Sequence, residues 1–312
     1  MILVAGSANL DFVVQAGHIP APGETVLGRD FQTFPGGKGA NQAVACARAG
    51  GVPTAMLLAL GNDAFAQPLV ESLTQAGVQL HTVRAAQPTG VAFICVSQQG
   101  ENAITVAPGA NNALQAAHLP SLQGITHLLM QLETPIDTVQ AYAQAAKAQG
   151  VQVVLNAAPA QALPATLLAL VDILIVNEGE LAALTPERLK QAKLEDQLAQ
   201  LPVPCVVVTL GSQGCLARLQ NKLQDKVQDK AQDEAGSQLI RQSAFKVDVV
   251  DTTAAGDTFC GALVAALSQG AAMPQALQRA SAAAALACTQ LGAQSSIPSQ
   301  TAVAQLVQQS AP

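Results

Sequence analysis

Ile173-Leu-Ile-Val-Asn-Glu-Gly-Glu180 carries four apolar residues without polar alternation, then stops at an amide and two carboxylates. A strand with no polar side is buried on both faces. That pattern belongs to a parallel sheet covered by helices on either side. In such sheets ligands collect just beyond the carboxyl ends of the strands, which is where Asn177, Glu178 and Glu180 fall. Similar runs lie at residues 2–5, 54–60, 125–130, 151–155 and 203–210. Between and after them, apolar residues recur at helical spacing over 39–48, 64–75, 135–149 and 186–200, and in the last third over 254–267, 274–288 and 301–309. The expectation is an α/β fold, a central mostly parallel sheet flanked by helices on both faces.

Two segments break the rhythm. Residues 11–35 and 89–108 are strand-like, with turn signals at Ala21-Pro22-Gly23 and around residues 98–101, and hold no long helical pattern. They read as two insertions forming a small β-sheet lid, or else as two hairpins decorating the sheet edge. On the first reading, residues 1–10, 36–88 and 109–312 make the main domain. A period-four repeat, Lys222-Leu-Gln-Asp225 and its two successors through Asp233, reads as a solvated insertion between strands.

Half of the 312 residues are apolar and 12% are charged, which suits a sizeable core and excludes a disordered chain. The net charge of −6 comes with no basic cluster, so neither nucleic acid nor an anionic membrane is an expected partner. No Trp and 3% aromatics argue against base-stacking platforms. The six cysteines form no C-x-x-C pair, and several lie in apolar runs; they read as free thiols in a reducing cytosol. The four histidines, at 18, 81, 118 and 127, lack ligand spacing. The apolar start has no basic n-region and meets Asp11 early, so it reads as a strand rather than a signal peptide. A cytoplasmic protein is expected.

Four constellations carry chemistry. Phe34-Pro-Gly-Gly-Lys-Gly-Ala-Asn41 leads into a helical run. Its glycines let backbone approach a ligand and Lys38 adds a cation, although a plain tight turn fits too. Asp251-Thr-Thr-Ala-Ala-Gly-Asp-Thr-Phe259 opens another helix. There the N–H groups of Ala254, Ala255 and Gly256 can form an anion hole, and Asp257 is either a helix cap or a general base. Asn177-Glu-Gly-Glu180 can hold Mg²⁺, form a capping box, or do both. Thr209-Leu-Gly-Ser-Gln-Gly214 is either a nucleotide-contact loop or a hairpin turn.

Taken in order, Asn9-Leu-Asp11, Gly36-Gly-Lys-Gly-Ala-Asn41 and Asp251-Thr-Thr-Ala-Ala-Gly-Asp257 resemble the ribokinase-like (PfkB) carbohydrate kinases. Pro22-Gly-Glu-Thr25, Met130-Gln-Leu-Glu133, Asn156-Ala-Ala-Pro159 and Gly292-Ala-Gln294 extend the resemblance along nearly the whole chain. It implies ATP-dependent phosphorylation of D-ribose at its 5-hydroxyl. Other members act on deoxyribose, fructose or nucleosides, and a non-catalytic sugar-binding protein is a further alternative. By resemblance, Asn9, Asp11, Gly37, Lys38, Asn41 and Glu133 would hold sugar hydroxyls, with Asp257 as base beside the Ala254, Ala255 and Gly256 amides. Asn177, Thr209, Gly211, Gly214 and Gly256 would contact ATP, and Glu180 would associate with Mg²⁺. Asp251, Thr253, Ala287, Gly292 and Ser296 would bind a monovalent cation, usually K⁺. A homodimer through the lid is implied as well. Ser295 departs from the proline common in relatives, and Ser281 from another polar residue.

Overall fold

A computed structural model describes residues 1–220 and 237–310. The period-four repeat lies outside these residues. Nine strands form the main sheet: β1 (Ile2–Ala5), β4 (Thr54–Leu60), β5 (Gln79–Arg84), β8 (His127–Met130), β9 (Gln152–Asn156), β10 (Ile173–Asn177), β11 (Cys205–Thr209), β12 (Cys215–Gln220) and β13 (Ser237–Gln242). Their order is β13-β12-β11-β10-β9-β8-β1-β4-β5. Every pair from β11 to β5 is parallel, and β12 and β13 close one edge antiparallel. The expected class is what forms. The antiparallel edge arises because only a short turn separates β11 from β12, too little chain for a crossover helix.

Alternation along each strand explains the unbroken apolar runs. Ile2, Val4, Leu129, Ile173 and Ile175 pack on one face with α1 (Lys38–Arg48), α2 (Ala66–Gln75), α7 (Ala255–Ser268), α8 (Met273–Ala287) and α9 (Gln300–Gln309). Leu3, Ala5, Leu128, Met130, Leu174 and Val176 pack on the other with α3 (Ile136–Ala148), α4 (Ala165–Leu168), α5 (Glu178–Leu184) and α6 (Leu194–Ala199). No helix of the described residues is long and apolar enough to cross a membrane.

One expectation changes. Residues 186–200 do not make one helix. A 3₁₀ turn, Glu187–Leu189, precedes the short α6. Residues 190–193 carry no large apolar side chain to hold a turn on the sheet. Gln197 Nε2 instead donates to the carbonyls of Lys190 (3.3 Å) and Ala192 (3.0 Å). The edge strand β5 has no sequence expectation, because its polar ends and partly buried middle lack the unbroken apolar run.

A second sheet stands apart from the first. It pairs β3 (Arg29–Gly36), β2 (Asn9–Gln15), β6 (Gly90–Val96) and β7 (Asn102–Ala107) in that order. Both strand-like segments contribute two strands each. The sheet also takes in Asn9, Leu10 and Gly36 at its root.

Helices α1 and α7 meet closely at Gly261. A Cβ there would lie 2.6 Å from the Gln42 carbonyl oxygen and 2.9 Å from the Cys46 nitrogen. Backbone cannot retreat as a flexible side chain can, so overpacking is the expected cost. Gly261→Ala should lower unfolding free energy by about 1–3 kcal/mol, read from urea titration, and an unchanged midpoint would show that the two helices can separate freely.

Candidate active site

The glycines that precede α1 are there for contact as well as conformation. Gly37 has φ +87°, and a Cβ on it would stand 2.7 Å from the Asn9 nitrogen. A Cβ on Gly39 would stand 2.6 Å from the Ser7 nitrogen. The start of α1 is thereby pressed onto the link between β1 and β2. No side chain at its own N-cap serves it. Glu133, just beyond β8, does so from across the sheet: Oε2 accepts the Lys38 N–H (3.1 Å) and the Ser7 hydroxyl (2.5 Å). A carboxylate there also meets the positive end of the helix dipole. Glu133 is thus partly engaged in holding α1, beyond the sugar contact its resemblance implies.

Helix α7 starts from a left-handed residue, Ala254, with φ +57°. The turn before it is tied by Asp251, whose Oδ1 accepts the Thr253 N–H (2.9 Å) and hydroxyl (2.6 Å). Its Oδ2 accepts the Gly292 N–H at 3.0 Å. One carboxylate so joins the loop before α7 to the loop after α8. Of the three amides expected in the anion hole, that of Ala255 turns back to the Thr252 carbonyl at 3.2 Å. The N–H groups of Ala254, Gly256 and Asp257 make no hydrogen bond to the described residues, and all three residues line one cavity.

Asp257, in the first turn of α7, is 9% exposed. Its Oδ2 accepts from Asn41 Nδ2 (2.9 Å) and its Oδ1 from Gln42 Nε2 (2.9 Å). Gln42 also donates to Asn156 Oδ1 (2.9 Å) and accepts from Gln131 Nε2 (2.6 Å). Sequence reasoning missed Gln42 and Gln131. Their signal was an uncharged polar residue inside an apolar stretch, which by itself does not separate a site residue from a surface one.

The cavity at Asp257 measures ≈ 150 Å³ and lies at the carboxyl ends of β9, β10 and β11. Lys38, Asn177, Glu180, Thr209 and Asp257 come together in its wall, although the chain separates them widely. Two larger cavities, of ≈ 400 and ≈ 580 Å³, contain no carboxylate in their walls. Chemistry rather than size singles out the smaller one. Lys38 lines this cavity together with Asn177 and Glu180, and its ammonium interacts with the Glu180 carboxylate. Asn177 and Glu180 form the reciprocal box: Asn177 Oδ1 accepts the Glu180 N–H, and Glu180 Oε2 accepts the Asn177 N–H, both at 2.8 Å. Glu180 Oε1 has no partner among the described residues. Gly211 and Gly214 stay out of the cavity wall. Both occupy the β11–β12 turn, where a Cβ on Gly214 (φ +94°) would approach the Ala244 nitrogen to 2.7 Å.

Asn9 and Asp11 are buried at the root of the second sheet, on the same side of β2. Asn9 Oδ1 accepts from Asn111 Nδ2 at 2.7 Å. Burial, with Glu133 and Asp257 nearby, pushes the Asp11 carboxyl up to about 7, against the pull of Lys38. Burial works against the Lys38 charge, yet Asp257, Glu133 and Glu180 outweigh it and raise its proton affinity. Burial also raises Glu180, which the Asn177 N–H and Lys38 offset in part. One ammonium therefore holds several carboxyl groups together.

The cation residues are gathered only in part: Asp251, Thr253 and Gly292 are linked directly, while Ser296 is buried with its hydroxyl on the Ala293 carbonyl (2.9 Å) and Ala287 is fully buried. No group of three or more His, Cys, Asp or Glu side chains able to hold a metal occurs among the described residues.

Comparison with known proteins identifies the family and the fold. The family model described as pfkB family carbohydrate kinase matches residues 1–300. The chain is 38% identical over 308 residues to the ribokinase of Haemophilus influenzae, covering 95% of each. The ribokinase of Thermotoga maritima superposes with TM-score 0.82 at 36% identity, over 98% of this chain and 99% of that one. The ribokinase of Arabidopsis thaliana, solved with ribose and ATP, gives 0.85 at 32% identity over 98% of both.

The Asp11 environment has a measurable consequence for stability. Between 3.8 and about 7 the native chain keeps a proton that the unfolded chain has released. Native-state stability therefore falls as pH rises through that window and levels off above it. Asp11→Asn should remove this loss. Its urea-derived stability relative to the parent should improve by about 1 kcal/mol or more from pH 5 to pH 8, and a constant difference would contradict the assignment.

Proposed function

The chain belongs to the pfkB family of carbohydrate kinases, and from that premise we infer the reaction its cavity performs, the ATP-dependent phosphorylation of D-ribose at the 5-hydroxyl. One observation carries the reading: a buried carboxylate, Asp257, stands beside unengaged helix N-terminal amides in a cavity that also contains Lys38 and Glu180. Phosphoryl transfer asks for little else from a protein than alignment and charge stabilisation.

In this reading, ribose lies between the second sheet and the start of α1. Asn9, Asp11, Asn41, Glu133 and the backbone at Gly37 grip its hydroxyls. Asn41 Oδ1 supports this, being buried without a partner and so suited to accept a hydroxyl proton while Nδ2 holds Asp257. The second sheet acts as a lid. ATP enters along the carboxyl ends of β10 and β11, with Asn177, Thr209 and the Gly211–Gly214 turn beside the nucleoside and Lys38 toward the phosphates. The 5-hydroxyl proton passes to the Asp257 carboxylate as the oxygen bonds to the γ-phosphorus. The bond from that phosphorus to the β,γ-bridging oxygen breaks, and ADP leaves. The amides of Ala254, Gly256 and Asp257 stabilise charge on the transferring group. Ala255 shapes this turn through its bond to Thr252.

Two cations complete the reading. Glu180 would hold Mg²⁺, directly or through water, because its Oε1 is free of partners among the described residues while it lines the cavity. Bound with ATP, Mg²⁺ neutralises phosphate charge. The carbonyls of Thr253, Gly292 and Ser296 accept no hydrogen bond from the described residues, and with Asp251 and Ala287 they offer the oxygen-only set that suits K⁺. Its presence would fix the turn that presents the α7 amides. Six unpaired thiols suit the reducing cytoplasm, where this reading places the enzyme.

The decisive assay is ADP release against ribose, deoxyribose, fructose and a nucleoside, in K⁺ and in tetramethylammonium buffer. Ribose in K⁺ should turn over fastest, and Asp257→Asn should lose on the order of 10²–10⁴ in kcat while still binding ribose. A variant with full kcat would remove Asp257 as base, and equal rates in both buffers would remove the cation.

The lid also supports a homodimer. Ile104 and Val106, 54% and 41% exposed, share the Asp11 side of the sheet with Val13, Ala92 and Ile94. Monomeric proteins seldom leave such a stripe open beside a site. Ile104→Asp should convert a dimer to a monomer in sedimentation velocity; a monomeric parent would end this reading.

A further inference from the structure

The catalytic carboxylate is not held by charge alone. Gln42 is fully buried, and every polar atom of its amide group is committed. The two Nε2 hydrogens go to Asp257 Oδ1 and Asn156 Oδ1, each at 2.9 Å, and Oε1 takes the Gln131 amide at 2.6 Å. Turning the amide over would bring its oxygen against two acceptor oxygens and its NH₂ against the Gln131 donor. Only one orientation is therefore satisfied. Asn156 is anchored in turn, since its Nδ2 donates to the Ile175 carbonyl at 3.1 Å. Gln131 is fully buried too, and its Oε1 finds no partner among the described residues. A buried acceptor left unmatched calls for an explanation. Here it is the cost of aiming the opposite end of that side chain at Gln42.

We propose that Gln42, steered by Gln131 and Asn156, is the positioning residue that fixes Asp257, occupying Oδ1 so that Oδ2 is the oxygen that receives the sugar proton. Asn41, the partner of Oδ2, differs from Gln42 in keeping an unmatched buried oxygen, so its amide is free to be shared with the sugar. The charged and titratable groups facing Asp257 are Lys38 from α1, Asp11 from β2, Glu180 from α5 and Cys260 from α7 itself.

This rests on Asp257 being the base, and the test separates the two. Gln42→Met and Gln131→Met are made in the full chain, with Asp257→Asn as reference, and kcat, both KM values and ribose binding by calorimetry are measured from pH 5 to 9. Gln42→Met should lose about 10–100-fold in kcat, with KM and ribose affinity within about threefold of the parent. Gln131→Met should show the same pattern to a smaller degree, and the double variant should be no worse than Gln42→Met. Parental kcat in Gln42→Met, with Asp257→Asn inactive, would overturn the positioning role alone. Should Gln42→Met fail to fold, parental values in Gln131→Met would overturn it equally. A fully active Asp257→Asn would instead overturn the base.

Discussion

The whole site depends on two helices whose first turns face each other. Helix α1 brings Lys38, Asn41 and Gln42, and α7 brings Asp257 and its unengaged amides. They can approach this closely because Gly261 leaves no Cβ between them and because Gly37 and Gly39 let α1 press on the chain that joins β1 to β2. Two positive helix ends at one place attract negative charge. The protein answers with Glu133 at the first and Asp257 at the second, and a triphosphate would extend the same arrangement.

That concentration of charge has a cost. Asp11 is driven to about 7 by burial and by the carboxylates around it, and Lys38 alone offsets several acids. Buried carboxylates that repel one another oppose folding, yet in the proposed reading they are what would grip a polyhydroxylated sugar. A hydroxyl-rich ligand gives each acceptor the donor it lacks, and an analogue without one hydroxyl leaves a buried acceptor unmatched. On that reading the site would trade stability for discrimination, as binding sites commonly do. Support comes from the core on either side of the sheet, where alternate residues of every central strand are buried.

The glycine-rich turns show how one sequence feature serves different ends. Gly36 lies under the Asp11 carboxylate, where a side chain would collide with it. Gly214 is needed by a hairpin turn and stays outside the cavity. Both look alike in sequence. The left-handed turn at Ala254 likewise directs Ala255 away from the cavity, although Ala254 and Ala255 are the same residue type.

The central strands were legible in the sequence because burial on both faces forces unbroken apolar runs, and most of the long helices because a single buried face imposes its period, whereas the edge strands, buried less evenly, were not. Residues 186–200 misled because spacing alone does not reveal whether intervening polar residues find better partners, as Gln197 does for the carbonyls at 190 and 192. Asp257, Lys38, Glu180 and the glycines stood out through the family resemblance, because a helix cap, a capping box or a tight turn fits each of these motifs taken alone. Which of them share a cavity, and that Gln42 and Gln131 stand behind Asp257, only the tertiary structure decided. The physical reason is distance along the chain: hydrogen bonds joining residue 42 to residues 131, 156 and 257 depend on how separate strands and helices pack, and no local pattern of side chains encodes that.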